Sequence, residues 1–212
     1  MTAEPMPRRS AVDGMLPHGW MSAVLLDEVA DRTLLELRVR VSEGGTVAED
    51  GTGADTGPAE RVLGIELPGP GRAVASANGR LTAVWLGPGW WLLDSPTEVE
   101  DEVGLEAPLV HRLRAAGAGL SAVEVSGGFV VLELAGPAAR SVLGHACSLD
   151  LHPRAFAPGS AARTMLAKAQ VVLVQTGDAP AYRVWARRSF ARYLVEWLTD
   201  AATEYLSVTV PG

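Results

Sequence analysis

"GPAERVLG" occupies residues 57–64, and "GPAARSVLG" occupies residues 136–144. Each copy has a proline near its start, where a first helical turn tolerates it, and a glycine at its end, where helices commonly stop. In the first copy, Ala59, Val62 and Leu63 recur at i, i+3 and i+4, which predicts a short helix with one buried face. Two such similar segments in one chain indicate that the fold repeats a unit.

The segments around the two short helices follow the same order in both halves. Alternation of apolar and polar residues predicts the first strand, at 33–41, further strands are predicted in the segments that follow, and helical spacing predicts a longer helix closing each half. Asn78-Gly79 is a strong hairpin signal, and Ser189 is a suitable N-cap. The predicted strands are 33–41, 72–77, 81–86, 90–95, 120–125, 129–134, two within 162–176, and 181–186; the predicted longer helices are 107–119 and 189–206.

This order predicts an α+β fold of two fused ferredoxin-like β-α-β-β-β-α modules, in which helices cover one face of antiparallel sheets. The first module is expected at 31–119 and includes a flexible Gly- and Asp-rich loop at 42–57. The second is expected at 120–212, and the two form one compact domain. Residues 1–30 are expected to be an N-terminal arm.

Composition limits the function classes. The net charge of −7, from 18 Lys and Arg against 25 Asp and Glu, argues against nucleic acid as a partner, since phosphate binding needs a basic face. The most apolar window, 81–93, is shorter than a bilayer span of about 20 residues, and the N-terminus has no secretory signal. With a single cysteine, Cys147, these features predict a cytoplasmic chain.

The sequence offers no catalytic residue. His145, Cys147 and His152 are potential zinc ligands, but their spacing matches no common zinc pattern, so no metal site is predicted. Cys147 follows a helix C-terminus, where the helix dipole disfavours a thiolate, so it is interpreted as a buried, inert thiol.

Two regions are candidate binding surfaces. Arg187 and Arg188 precede the predicted helix start at Ser189, where they suit either a small anion or an inter-subunit salt bridge, and the interface is the preferred interpretation. Trp20 and Arg9 lie in the N-terminal arm. An ordered tryptophan there needs a neighbouring surface, either a partner's or this chain's own sheet, and we favour the partner.

Several stretches resemble the gamma subunits of heterotetrameric sarcosine oxidases: "LGPGWWLL" (86–93), "LELAGPAARSVLGHACSLDLHPRAFAPG" (132–159), "ARTMLAKAQVVLV" (162–174) and "YRVWARRSFARYLVEWL" (182–198). The resemblance implies a pseudo-twofold fold like the folate-binding domain of aminomethyltransferases. It also implies a non-catalytic subunit with alpha, beta and delta partners, mainly the large alpha subunit. That complex oxidises sarcosine to glycine, hydrogen peroxide and a one-carbon unit for tetrahydrofolate, with FAD, FMN, NAD, zinc and tetrahydrofolate bound by other subunits and none by this chain.

Two alternatives remain open at the sequence level. One is a stand-alone folate-binding protein of the same fold. The other is the equivalent subunit of a related N-methyl amino acid dehydrogenase, since the resemblance assigns substrate choice to the flavin subunit.

Overall fold

The computed structural model describes residues 10–16, 23–41, 54–97 and 106–205. The described part contains ten strands and four α-helices. The strands are β1 (Leu25–Glu28), β2 (Arg32–Val39), β3 (Ala73–Ala75), β4 (Thr82–Gly87), β5 (Trp90–Pro96), β6 (Leu120–Glu124), β7 (Phe129–Ala135), β8 (Ala161–Leu166), β9 (Ala169–Gly177) and β10 (Ala181–Arg187). The helices are α1 (Gly57–Leu63), α2 (Glu106–Ala116), α3 (Ala139–Gly144) and α4 (Ala191–Ala202).

The strands form two five-stranded antiparallel sheets. Sheet I has the order β3-β4-β5-β2-β6, and sheet II has the order β1-β7-β10-β9-β8. Strand β1 therefore pairs with β7 of the second half, while β6 pairs with β2 of the first half. Each half of the chain donates its first strand to the sheet built mainly by the other half.

Helices and sheets stack in four layers. One apolar core lies between sheet I and helices α1 and α2, and includes Leu37, Trp91 and Leu113. A second lies between sheet II and helices α3 and α4. The third core joins the sheets themselves: Leu34 and Leu92 from sheet I pack with Trp185 and other residues of sheet II. Both faces of each sheet are thus covered, and the central strands are apolar on both sides.

The two sheets also meet at their edges. Arg72, just before β3, forms a backbone bridge with Ser160, just before β8. The N–H of Ala73 donates to the carbonyl of Gly159, and the N–H of Ala161 donates to the carbonyl of Gly71, both at 2.8 Å. These hydrogen bonds satisfy backbone N–H and C=O groups that would remain unpaired if the two sheet edges did not meet.

Local sequence accounts for most of these elements. Helix α1 begins with Gly57-Pro58 and ends where Gly64 adopts the left-handed conformation, with φ 69°. The predicted short helices and the alternating strands are present, with bounds that differ by a few residues. The β3–β4 hairpin is confirmed as well: the Asn78 side chain accepts from the N–H of Arg80 inside the turn.

The structure corrects four sequence interpretations. Residues 25–28, expected in an N-terminal arm that packs on a partner, form strand β1 of this chain's own sheet II, where Leu26 is buried. The strand at 120–124, assigned to the second module, completes sheet I. The last part of the loop 42–57 is ordered into the fold, since Ala54 bridges Val41 and Gly57 starts α1. Ser189 does not cap α4: it lies in a 3-10 turn, and Phe190 occupies the cap position without a side-chain bond.

Candidate functional site

Arg187, the last residue of β10, and Arg188, which follows it, line different cavities. The guanidinium of Arg187 lies over the ring of Phe129, 4.7 Å from its centroid, and Arg187 lines a cavity of about 60 Å³ between the sheets. Arg188 lines a separate cavity of about 300 Å³. The chain runs from extended backbone at Arg187 directly into the 3-10 turn, which separates the two side chains. The structure therefore does not gather Arg187, Arg188 and Ser189 around one anion.

The larger cavity has mixed charge. Glu28, Asp31, Arg32 and Arg188 all contribute to its lining, and two of these groups are engaged by other side chains. Arg32 donates to Asp94, and the carboxylate of Glu28 accepts from the hydroxyl of Ser10. With two acidic and two basic side chains in its wall, this cavity presents no single sign of charge to a ligand.

A buried carboxylate links the two sheets. Asp94, on β5, is fully buried; it accepts a bond from Arg32 Nε at 2.7 Å and from the indole Nε1 of Trp185, on β10, at 3.0 Å. Arg183 Nη1 lies 3.9 Å from the same carboxylate. Burial raises the pKa of Asp94 above its ordinary value, and this effect exceeds the opposing attraction of Arg32 and Arg183. We interpret Asp94 as a structural clamp between the sheets.

The neighbouring tryptophans Trp90 and Trp91 point to opposite faces of β5, because successive side chains of a strand alternate between its two faces. Trp91 is buried in the core beneath α1 and α2, where its Nε1 donates to the carbonyl of Pro68 at 2.8 Å. Trp90 faces the other sheet. Its ring lies beneath the guanidinium groups of Arg38, at 3.8 Å, and Arg163, at 4.5 Å. Two strands of sheet I and one of sheet II thus converge on one aromatic ring.

The residues considered as metal ligands each have another role. Cys147 is a buried free thiol in the core under sheet II. His145 Nε2 lies 3.2 Å from the hydroxyl of Tyr205 and 3.6 Å from a carboxylate oxygen of Glu204. His152 Nδ1 accepts from the N–H of Arg154 within its own loop. Within the described ranges, no group of three His, Cys, Asp or Glu side chains is placed to share a metal ion.

Sequence reasoning missed Asp94, Arg38 and Arg163. They lie on three different strands, and their partners come from a neighbouring strand or from the other sheet, neither of which a local sequence pattern identifies. The Trp90-Trp91 pair was the available signal, since two adjacent aromatic residues on a strand need two covered faces. The candidate interface residues Arg9 and Trp20 lie outside the described residues. Among the described helices, none has the length and apolar character needed to cross a membrane.

Comparison with solved structures defines the fold class. The chain is similar to a chain of the heterotetrameric sarcosine oxidase from Corynebacterium sp. U-96 in complex with pyrrole 2-carboxylate, with a TM-score of 0.73, 31% identity, and coverage of 96% of this chain and 99% of that one. It is also similar in fold to the glycine cleavage system aminomethyltransferase T from Bartonella henselae, with a TM-score of 0.53, 15% identity, and coverage of 84% and 46%. The protein is therefore a mixed α/β chain of two antiparallel sheets with an aminomethyltransferase-like fold.

Sequence comparison gives the family. The model of the "Sarcosine oxidase, gamma subunit family" matches residues 47–204. The gamma subunit of sarcosine oxidase from Arthrobacter sp. is 35% identical over 96% of this chain and 92% of its own length. That of Corynebacterium sp. strain P-1 is 34% identical over the same shares. The chain belongs to the sarcosine oxidase, gamma subunit family, and the resemblance seen in its sequence is confirmed.

Proposed function

We propose that this chain is the structural gamma subunit of a heterotetrameric sarcosine oxidase and carries no catalytic residue of its own. The observation that carries this proposal is its match over 99% of a chain from the heterotetrameric enzyme of Corynebacterium sp. U-96. In the proposed complex, sarcosine is oxidatively demethylated to glycine, hydrogen peroxide is formed, and the one-carbon unit passes to tetrahydrofolate. The alpha, beta and delta subunits are the proposed partners, and the large alpha subunit is the main one.

We assign FAD, FMN, NAD, zinc and tetrahydrofolate to the other subunits. The surroundings of the polar groups in this chain support that assignment. Asp94 is held by Arg32 and Trp185, and the cavity between the sheets that Trp90 and Arg187 line is about 60 Å³, below the usual size of about 300–1,000 Å³ for a ligand pocket. The cavity beside Arg188 reaches about 300 Å³, but two carboxylates and two guanidinium groups share its wall. We also propose a cytoplasmic location, which the free thiol of Cys147 supports because reducing compartments keep thiols unpaired.

We further propose that the two halves derive from one duplicated unit and are related by a pseudo-twofold axis. Each half has the order β-β-α-β-β-β-α. Replacing each strand by its counterpart converts the order of sheet I into that of sheet II, including the exchanged strand. The near-identical segments 57–64 and 136–144 fall on the counterpart helices α1 and α3. The modules expected at 31–119 and 120–212 correspond to these halves once β1 (Leu25–Glu28) is added to the first, and the exchanged first strands are then β1 and β6.

Co-expression with the other three subunits tests the main proposal. With an affinity tag on the large subunit, we expect this chain to co-purify in stoichiometric amount and the complex to oxidise sarcosine. The chain purified alone should show no oxidase activity and no flavin absorbance. Oxidation of sarcosine by the isolated chain, or its failure to co-purify, would contradict the proposal. Calorimetric titration of the isolated chain with a reduced folate separates it from a stand-alone folate-binding protein, which would release heat of binding.

A further inference from the structure

A cluster of arginines surrounds one aromatic ring where the two sheets face each other. Arg38, on β2, lies directly opposite Trp90 in the β2–β5 pairing, and its guanidinium stacks on the indole at 3.8 Å. Arg163, on β8 of sheet II, places its guanidinium 4.5 Å from the same ring. We call Arg38, Trp90, Arg163 and Arg187 the arginine cluster.

Arg187 joins the cluster through a shared cavity. It lines the space of about 60 Å³ between the sheets together with Trp90 and Arg163, while its own guanidinium stacks on Phe129 at 4.7 Å. All three arginines are exposed. Stacking on an aromatic ring fixes the plane of a guanidinium without using its N–H groups. Arg163 donates one N–H, from Nη1, to the carbonyl of Leu86 at 3.5 Å, and its other N–H groups can serve a planar acceptor.

The charge of the cluster is unbalanced. Glu36 is the one carboxylate among the residues that line this cavity, and its oxygen lies 3.8 Å from Arg38 Nη2, beyond hydrogen-bond distance. Arg163 and Arg187 line this cavity with Glu36, and Arg38 lies within ion-pair distance of the same carboxylate. Three guanidinium groups thus accompany one carboxylate, in a chain whose net charge is −7. Like charges held close together raise the free energy of the isolated chain, and a further carboxylate placed among them would lower it.

The shape of the site favours a side chain over a cofactor. A cavity of about 60 Å³ has room for a small polar group but falls well below the usual size of a pocket for a ring-containing ligand. Arginine and tryptophan are also the residues most enriched at the centres of protein–protein contacts. Both features suit an acidic segment that lays its carboxylates against exposed guanidinium edges.

We propose that the arginine cluster is the docking point for an acidic segment of a partner subunit, whose Asp or Glu carboxylates pair with Arg38 and Arg163. This proposal rests on the assembly proposed above and adds the chemistry of the contact. It assigns recognition to residues of both sheets, so that only the folded chain with its sheets joined presents the site. Bidentate pairing between guanidinium and carboxylate supplies the geometric specificity.

Charge reversal within the co-expressed complex tests the proposal. We expect Arg38→Glu/Arg163→Glu to reduce retention of this chain on a tagged large subunit by at least about tenfold, because reversed charges across an interface repel. The wild-type contact should also weaken as salt is raised. The matched control is Arg61→Glu/Lys168→Glu, which makes the same change in net charge at exposed residues of α1 and the β8–β9 turn. Equal retention of the two double variants would overturn the proposal.

A cross-linking experiment tests the same contact without charge reversal. Its result therefore does not depend on the folding stability of the charge-reversed variants. Arg163→Lys preserves the charge and introduces an amine, which a carbodiimide joins to a carboxylate in direct contact. We expect peptides that link position 163 to an Asp or Glu of another subunit, and none from the control Arg61→Lys. A link only to Glu36, or no link at position 163, would overturn the proposal. In both experiments, co-purification of the wild-type chain tests the assembly itself. A failure of the docking proposal can therefore be told apart from a failure of the proposed assembly.

Discussion

At the scale of single residues, the two copies of the repeated helix segment use their glycines differently. In the first copy, the final glycine, Gly64, takes the positive φ of 69° that ends the helix. In the second copy, the first glycine, Gly136, has a φ of 116°, and a Cβ there would lie 2.6 Å from the carbonyl oxygen of Ala23. The two similar segments therefore need glycine at different positions: the first at its end and the second at its start.

We predict that Gly136→Ala lowers the free energy of unfolding by about 2 kcal/mol or more, because the new methyl group meets backbone at a conformation that side chains rarely adopt. Gly144→Ala, in the same segment, has no heavy atom within 4 Å of its Cβ, and should leave stability unchanged or raise it by up to about 1 kcal/mol. Urea unfolding of the two variants measures the difference. Equal stabilities would show that the close approach to Ala23 is not a constraint.

The buried clamp at Asp94 gives a second residue-scale prediction. We expect Asp94→Ala to cost about 3–5 kcal/mol, since it leaves Arg32 and the Trp185 indole without their buried acceptor. The control is Glu133→Ala, which removes a partly exposed contact, 3.2 Å from Arg183 Nη2, and should cost less than about 1 kcal/mol. Denaturant midpoints of both variants compare the two carboxylates, Asp94 and Glu133, that lie near the same side chain, Arg183. A cost for Asp94→Ala no larger than the control's would refute the clamp.

The raised pKa of Asp94 fixes the sign of its pH dependence. The ordinary pKa of this carboxyl group is 3.8, and its pKa in the folded chain is higher. Between these two pKa values, the folded chain keeps Asp94 protonated while the unfolded chain has lost that proton. The contribution of the group to stability is therefore largest at low pH and decreases as pH rises through the folded-state pKa. We predict that the stability difference between wild type and Asp94→Ala shrinks as pH rises from about 4. A difference that grows with pH would mean that the neighbouring arginines dominate over burial.

At the scale of elements, strand β1 shows why the strand exchange escaped the sequence. Its four residues, Leu25–Glu28, are too few to establish an alternating pattern, and its pairing partner β7 lies in the other half of the chain. The strands with longer apolar or alternating runs, such as β9 and β2, were predicted because each run reports its own burial. Which sheet a strand joins depends on contacts distant in sequence, and no local pattern encodes that choice.

Two neighbouring leucines test whether β1 belongs to sheet II. Leu26 is 2% exposed and Leu25 is 55% exposed, although both lie in the same short strand. We predict that Leu26→Ala lowers the free energy of unfolding by about 2–5 kcal/mol through loss of buried contacts, whereas Leu25→Ala changes it by about 0.5 kcal/mol or less. Thermal unfolding of both variants provides the comparison. Similar small effects would mean that residues 25–28 belong to the N-terminal arm that the sequence suggested rather than to sheet II.

At the scale of the whole molecule, the sequence predicted the family and a mixed chain of helices and antiparallel sheets, but not the surface where the sheets face each other. The two similar helix segments, from which the proposed duplication starts, were visible because each carries its own proline and glycine signals. The arginine cluster was not visible, because Arg38 and Arg163 meet only through the packing of one sheet on the other. The candidate interface at Arg187 and Arg188 was chosen for a helix start, yet the backbone turn sends the two side chains to separate cavities.

The exchanged strands make the two halves interdependent, which fragment complementation can test. A cut after residue 119 leaves sheet I without β6 in the first fragment and sheet II without β1 in the second. Each fragment also exposes its side of the core between the sheets, including Leu92 or Trp185, and apolar surface of that kind promotes association. We therefore predict that fragments 1–119 and 120–212 lack cooperative unfolding when alone and form a one-to-one complex when refolded together.

Moving the cut supplies the matched control for this prediction. The fragment 1–125 retains β6 and hence all five strands of sheet I, so it should unfold more cooperatively than 1–119 although it is only six residues longer. Circular dichroism during denaturation and size-exclusion chromatography of the mixtures measure both effects. Cooperative folding of 120–212 alone, without the β1 strand that completes its sheet, would contradict the interdependence, because sheet II would then be stable as a four-stranded unit with its inner face exposed.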